Sequence, residues 1–297
     1  FNEASQAIKF ALGENVKQSN WGGYSRFPQT RMGVEQMYID YFSRAKAYDL
    51  QKKSGKPYRI DAEMEFLAEI LNKERFISCH SYIQSEINML MKVAESFGIK
   101  INTFTHILEG YKLATKMAKH GAGGGSFSDW WAYKYEVIDA IPYNGPILSE
   151  AGVTVAYNSD NAEMIRRLNQ EAAKAVKYGG LSEEEAWKYV TLNPAKLLRI
   201  DDKVGSIATG KHADLALWSH NPLSIYAVAE KTIIEGAIFY DYNNLDAKIL
   251  DNEKEREIII TQLKEAKKGG AKTQPAPVID KRYFECETID IVNENIQ

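Results

Sequence analysis

His80, His106 and Asp160 are the residues of this sequence whose types and spacing could do chemistry together. His80 directly follows the apolar run Phe76-Ile-Ser-Cys79, His106 directly follows Lys100-Ile-Asn-Thr-Phe-Thr105, and Asp160 lies three residues beyond Val153-Thr-Val-Ala-Tyr157. Neutral imidazole and carboxylate are donors that Zn²⁺ and similar divalent ions accept, and a hydrolytic centre keeps one position open for water. A lone His after a strand is more often a hydrogen-bonded structural residue. Two His and an Asp, all at strand ends in one register, shift the balance toward a shared ion. His120, His212 and His220 fall at a helix end or in a later β-rich segment and read as surface or structural.

Donors so far apart in sequence can share an ion only if the strands bearing them converge. Parallel βα barrels do this, because all strand C-termini meet on one face. The text supports that class: short apolar strands (Ala7 to Leu12, Phe76 to Cys79, Lys100 to Thr105, Val153 to Tyr157) alternate with segments of helical period (Arg31 to Asp49, Asp61 to Leu71, Ser85 to Phe97, Tyr111 to Lys119). His80 and His106 are about one βα unit apart and His106 and Asp160 about two, which leaves room for a weaker strand near 121–127.

After residue 200 the texture changes to short strands broken by glycine. These are Val204 to Gly210, Ala213 to Trp218, and Lys231 to Tyr240, the makings of a small β-domain. Beyond about residue 245 come a charged helix, Asn252 to Lys268, a turn-rich stretch from Gly269 to Pro277, and a short strand-like end. The domain reading is therefore 1–200 barrel, 201–244 small β-domain and 245–297 C-terminal extension.

Composition narrows the partners. Of 297 residues, 44% are hydrophobic, enough for a sizeable core. Lys and Arg number 37 against 40 Asp and Glu, a net charge of −3 that leaves no electrostatic footprint for nucleic acid or an anionic membrane. No apolar run approaches the roughly 18 to 20 residues of a bilayer span. The expected partner is a small-molecule substrate, with homo-oligomerisation left open. Cys79 and Cys286 fit neither a disulfide framework nor a paired-cysteine zinc site. The chain opens at Phe1 without a Met or a signal peptide, so its address is left between cytoplasm and periplasm.

A longer motif runs from Leu181 (Leu-Ser-Glu-Glu-Glu-Ala-Trp-Lys-Tyr-Val-Thr-Leu-Asn-Pro-Ala-Lys-Leu-Leu) to Leu198, followed by Val204-Gly-Ser-Ile-Ala-Thr-Gly-Lys-His-Ala-Asp-Leu-Ala-Leu-Trp218. Asn193-Pro194 stops or turns a helix there, and Gly205 and Gly210 punctuate a hairpin into the strand ending at Trp218. Asp214 reads as a structural hydrogen-bonder. With His80, His106 and Asp160 in order, this block resembles the amidohydrolase superfamily, in its imidazolonepropionase and prolidase-like branch, over residues 7 to about 242. The resemblance implies an α/β metal-dependent hydrolase, an incomplete (β/α)8 TIM barrel of strands 4 to 8, and a small β-sandwich domain.

The resemblance also assigns roles. His80 and His106 would be the metal ligands ending the fifth and sixth strands, and Asp160 the ligand ending the eighth. Asp160 would double as the group that takes a proton from water and returns it to the leaving nitrogen. The first strand would be the family's fourth, where a bridging ligand belongs. Lys9, carboxylated, is one candidate, since an unpaired lysine in an apolar strand is costly; Glu14, in Gly13-Glu-Asn-Val-Lys17, is the other and the favoured one. The ion would be Zn most readily, one or two, with Mn or Fe as alternatives. Tyr82, Glu109, Tyr111, Trp130 and Asn161 follow the strands and are the candidate substrate contacts. The glycine run from Gly121 is no phosphate loop, because it lacks the Lys-Ser/Thr ending. The superfamily's His-x-His pair is absent from the sequence, so the expectation is a fragment whose partner is the N-terminal half of its own barrel. The implied reaction is cleavage of an amide, peptide or cyclic amide C–N bond; the alternatives are a deaminase of the same superfamily or a non-catalytic scaffold.

Overall fold

The computed structural model describes residues 5–17, 26–128, 131–132 and 134–274. These fall into two compact units, one up to Lys211 and the other from His212 on. The first unit holds five strands: β1 (Gln6–Ala11), β2 (Arg75–His80), β3 (Thr103–Thr105), β4 (Gly123–Ser126) and β5 (Val155–Tyr157). They pair in chain order, every pair parallel. Helices fill the crossovers: α1 (Glu14–Lys17), α2 (Arg31–Lys53), α3 (Ala62–Leu71), α4 (Gln84–Ser96), α5 (Ala114–His120) and α6 (Asn144–Glu150), then α7 (Leu168–Gly179), α8 (Glu183–Lys188) and α9 (Leu192–Leu197) after the last strand. This is the βα succession of a TIM barrel, here an open sheet in which β1 and β5 are the outer strands.

Period-two alternation decides which side chains meet the helices. Ile77 and Cys79 of β2 and Phe104 of β3 have no solvent exposure and lie in the core with Leu12, Ile87 and Leu148. Phe10 stacks on Tyr38 of α2, with ring centroids 5.4 Å apart. The α2 and α3 starts are set by their N-caps: Thr30 accepts from the Gly33 amide, and Asp61 from those of Glu63 and Met64.

β4 carries no β-branched residue, yet it is a fully buried strand. Space explains its glycines. A Cβ on Gly124 would lie 2.6 Å from Ile107 Cδ1, and one on Gly123 would run into Leu197. The glycine run is thus strand for four residues, within the 121–127 stretch where a weaker strand was expected, and close packing overrides its low propensity.

The segment 204–210 is the clearest departure from expectation, since it forms turns and not a strand. A side chain ties it down: Lys211 Nζ donates to the carbonyls of Asp201 and Val204 and to the Ser206 hydroxyl. Gly205, at φ +86°, packs against Ala195 and the backbone of Leu192.

The second unit is a three-stranded antiparallel sheet of β6 (Leu215–Trp218), β7 (Ala229–Ile234) and β8 (Ala237–Asp241), followed by α10 (Leu245–Lys268). The stretch read as one strand, Lys231 to Tyr240, is a hairpin. Its two turn residues, Glu235 and Gly236, are both left-handed, at φ +50° and +82°. Asp214 Oδ1 accepts from the Glu235 amide at 2.9 Å, the structural role expected of it. Among the described residues no helix is long and apolar enough to cross a membrane.

Candidate active site at the strand ends

His80 is the last residue of β2, and its backbone carbonyl accepts from the Leu12 amide at the end of β1. His106 directly follows β3 in a left-handed conformation, φ +63°, that side chains adopt at a cost of about 1–3 kcal/mol. Neighbours hold it there. The Ile107 amide donates to Gly125 O at 3.2 Å, and Asn144 Nδ2 donates to Ile107 O at 2.8 Å. The two imidazole rings meet edge to face with centroids 4.8 Å apart. Phe127 stacks on the His106 ring at 4.9 Å, and Tyr82 meets the His80 ring edge-on at 4.8 Å.

Burial, followed by His106, Lys134 and Lys9, lowers the His80 pKa to about 3. Burial and then Lys9 and Lys134 lower that of His106 to about 4. Both rings are therefore neutral near pH 7, the form that can ligate a metal. His106 Nδ1 is buried with no hydrogen-bond partner. Buried polar atoms are rarely left so, and an unpaired imidazole nitrogen is a ready donor to a cation.

The Gly13-Glu-Asn-Val-Lys17 segment closes one side of this pair. Gly13 takes φ +79°, and a Cβ there would collide with the Glu136 carboxylate. That carboxylate accepts from the Glu14 amide at 3.0 Å and pairs with Lys134 at 3.3 Å. Burial raises the Glu136 pKa in spite of these contacts. Asn15 Nδ2 lies 3.4 Å from His80 Nε2. Lys17 Nζ lies 3.0 Å from both Glu14 Oε1 and Glu86 Oε1. Burial pulls the Lys17 pKa down, but the two carboxylates outweigh it and the net shift is upward. Lys134 Nζ sits 4.1 Å above the Tyr82 ring.

The residues singled out in the sequence are thus only partly brought together. His80, His106 and Tyr82 form one cluster. Lys9 is exposed on β1, opposite Ser78, and its charge acts on both imidazoles. Glu14 is on α1, tied to Lys17. Asp160 is exposed three residues beyond β5, at φ +47°. Asn161 Oδ1 caps the amides of Glu163 and Met164. Glu109 is buried, accepting from the Gln84 amide at 2.8 Å and facing Lys112. Tyr111 donates to Asp139 O at 3.0 Å. Trp130 lies outside the described residues. His120 is structural: its Nε2 accepts from the Ile101 amide at 3.0 Å and its Nδ1 pairs with Glu95.

Among the described residues, no three His, Cys, Asp or Glu side chains are gathered closely enough to hold a metal ion. The two imidazoles fit such an ion as donors, by protonation state and by the orphaned Nδ1, but a catalytic zinc takes three protein ligands. Asn15, Lys134, Glu136 and Asn144 were not singled out in the sequence, and Phe127 entered only within the run that starts at Gly121. Lys134, Glu136 and Asn144 lie in stretches without periodic pattern or donor spacing, so only the folded chain exposes them.

Comparison with known proteins adds the following. Residues 145–262 match the model of the Amidohydrolase family. Amidohydrolase tasK of Hapsidospora irregularis is 28% identical over 253 residues, which cover 79% of this chain and 26% of that protein. The imidazolonepropionase of Shewanella baltica (strain OS185) is 58% identical over 38 residues, 13% of this chain and 9% of that protein. Among solved structures, an amidohydrolase from Thermotoga maritima MSB8 superposes with a TM-score of 0.72 and 30% identity, covering 79% of this chain and 62% of that one. The chain therefore matches less than two thirds of the length of each of these relatives.

Proposed function

The chain is a relative of the amidohydrolases in sequence and in fold, and from that premise we propose that it forms the part of a metal-dependent C–N hydrolase that carries the strand-end histidines. The carrying observation is the His80–His106 pair: neutral rings 4.8 Å apart at the ends of adjacent parallel strands, one with a buried, unpartnered nitrogen. His80 and His106 would hold the ion, with Asp160 and either Glu14 or a carboxylated Lys9 completing the set. Zinc is favoured by this mix of imidazole and carboxylate, with Mn or Fe as alternatives. When bound, such an ion activates water at neutral pH and polarises a carbonyl oxygen.

The chain's own residues supply the rest. Asp160, exposed three residues beyond β5, would take the proton from water and pass it to the leaving nitrogen. Tyr82 and Phe127 wall the imidazole pair with apolar rings, which excludes bulk water. Tyr111, Glu109 and Asn161 follow β3 and β5 in the chain and would be the substrate contacts, with Trp130, outside the described residues, as a further candidate. The substrate class favoured is an amide, peptide or cyclic amide, after the branch resembled.

Metal analysis and a hydrolysis screen test this together. The expected result is zinc, manganese or iron bound to the full chain, lost in His106→Ala, with turnover of some dipeptide, N-acyl amino acid or lactam. A folded, metal-free chain would favour a scaffold role; release of ammonia from a ring amine in place of amide cleavage would favour a deaminase.

A further inference from the structure

Lys17 and Glu86 form an ion pair that catalysis as read above leaves without a task. Lys17 is 6% exposed and Glu86 3%, and their charged atoms lie 3.0 Å apart. Arg31 Nε, at the start of α2, donates to the same Glu86 oxygen at 2.8 Å, while Glu86 Oε2 is buried without a partner. As a source of stability this is a poor arrangement. Desolvating two charges is costly, and well-packed apolar residues of similar volume generally serve as well.

What the pair does provide is place. Glu86 sits in the first turn of α4, the helix that follows the His80 strand. Lys17 sits at the end of α1, the turn that follows β1. Across the pair, Lys17 also reaches Glu14 Oε1 at 3.0 Å, and the intervening Asn15 lies against His80 Nε2. Each polar member of the Gly13–Lys17 motif thus has its own anchor. We propose that the Lys17–Glu86 pair is a positioning device that fixes the α1 turn, and with it Glu14 and Asn15, against His80.

The inference rests on the reading of His80 as a donor to a divalent ion, and the test separates the two. Three variants of the full chain are compared with the original: Lys17→Arg, the apolar double variant Lys17→Met with Glu86→Leu, and His106→Ala. Zinc affinity is measured by chelator competition, folding by thermal melting, and the His80 imidazole by ¹⁵N NMR without metal. His106→Ala tests the metal reading alone, through loss of zinc. The double variant is expected to melt near the original, to bind zinc about ten- to hundredfold more weakly, as removal of an outer partner does elsewhere, and to show a displaced His80 resonance. Lys17→Arg should stay close to the original in all three readouts. A double variant that folds with an unmoved His80 resonance overturns the positioning role, whatever zinc does. So does failure of both Lys17 variants to fold, which would make the pair a structural tie only.

Discussion

The imidazoles of His80 and His106 meet at 65°, 4.8 Å between centroids, although the two residues end different strands. The register explains how. His80 pairs with Thr105 across β2 and β3, so the residue after Thr105 emerges beside it, and the left-handed turn at His106 swings that ring back toward its neighbour. An extended residue there would follow the strand direction. The backbone conformation that costs energy is thus the one that makes the pair.

Burying two neutral imidazoles has a consequence for acid stability. Both folded pKa values, about 3 and about 4, lie below the ordinary 6.5, so the unfolded chain binds protons that the folded one refuses. Stability is then full above pH 6.5 and falls as pH drops toward 4 for His106 and toward 3 for His80, by at most roughly 1.4 kcal/mol per pH unit for each ring. Urea unfolding across that range, compared with a His80→Asn variant, checks it. An unchanged pH slope in the variant would contradict the burial argument.

Gly124 is required by space, and that can be shown with a pair of substitutions. Gly124→Ala places a methyl 2.6 Å from Ile107 Cδ1 inside a filled core and should destabilise by about 1–3 kcal/mol. Ile107→Val removes the offending atom. Combined, the two should cost less than their sum, with a coupling of about 0.5 kcal/mol or more by thermal or urea unfolding. Additive losses would mean that the strand resists alanine for another reason.

How legible this was depended on what kind of force fixed each part. Strands such as Phe76 to Cys79 and helices such as Asp61 to Leu71 are set by apolar periodicity, which sequence displays, and they stand within a residue or two of where the pattern puts them. Gly123 to Ser126 is set by the reach of Leu197 and Ile107, contacts invisible without the fold. The two histidines were readable from their position after strands. Asn15, Glu136 and Asn144 were not, because each acts through a partner distant in sequence, at separations that no spacing rule covers. Asp160 shows the converse: its place after β5 follows from sequence, but no cluster of three donors forms around it among the described residues.

His120 offers a control for what a structural histidine does. Replacing it with Phe leaves the buried Ile101 amide without its acceptor, which should cost about 1–3 kcal/mol. Metal content should be untouched, in contrast with His80→Ala and His106→Ala. Calorimetric melting and elemental analysis of the three variants would separate the classes; metal loss in His120→Phe while the protein stays folded would refute the division.

Lys9 and Glu14 remain rival bridging groups, and charge distinguishes them. As an ammonium, Lys9 lowers the pKa of both imidazoles, and by the same repulsion it opposes a cation beside them. Carboxylated, it would carry a negative charge and attract the ion instead. If Lys9 is the bridge, zinc affinity should rise with bicarbonate, fall sharply in Lys9→Ala and be restored there by added short-chain carboxylates. If Glu14 is the bridge, bicarbonate should have no effect, Lys9→Met should bind zinc at least as tightly as the original because a repelling charge is gone, and Glu14→Gln should bind more weakly. Zinc titrations of the three variants with and without bicarbonate decide between them, since the two schemes predict opposite signs for the removal of one lysine.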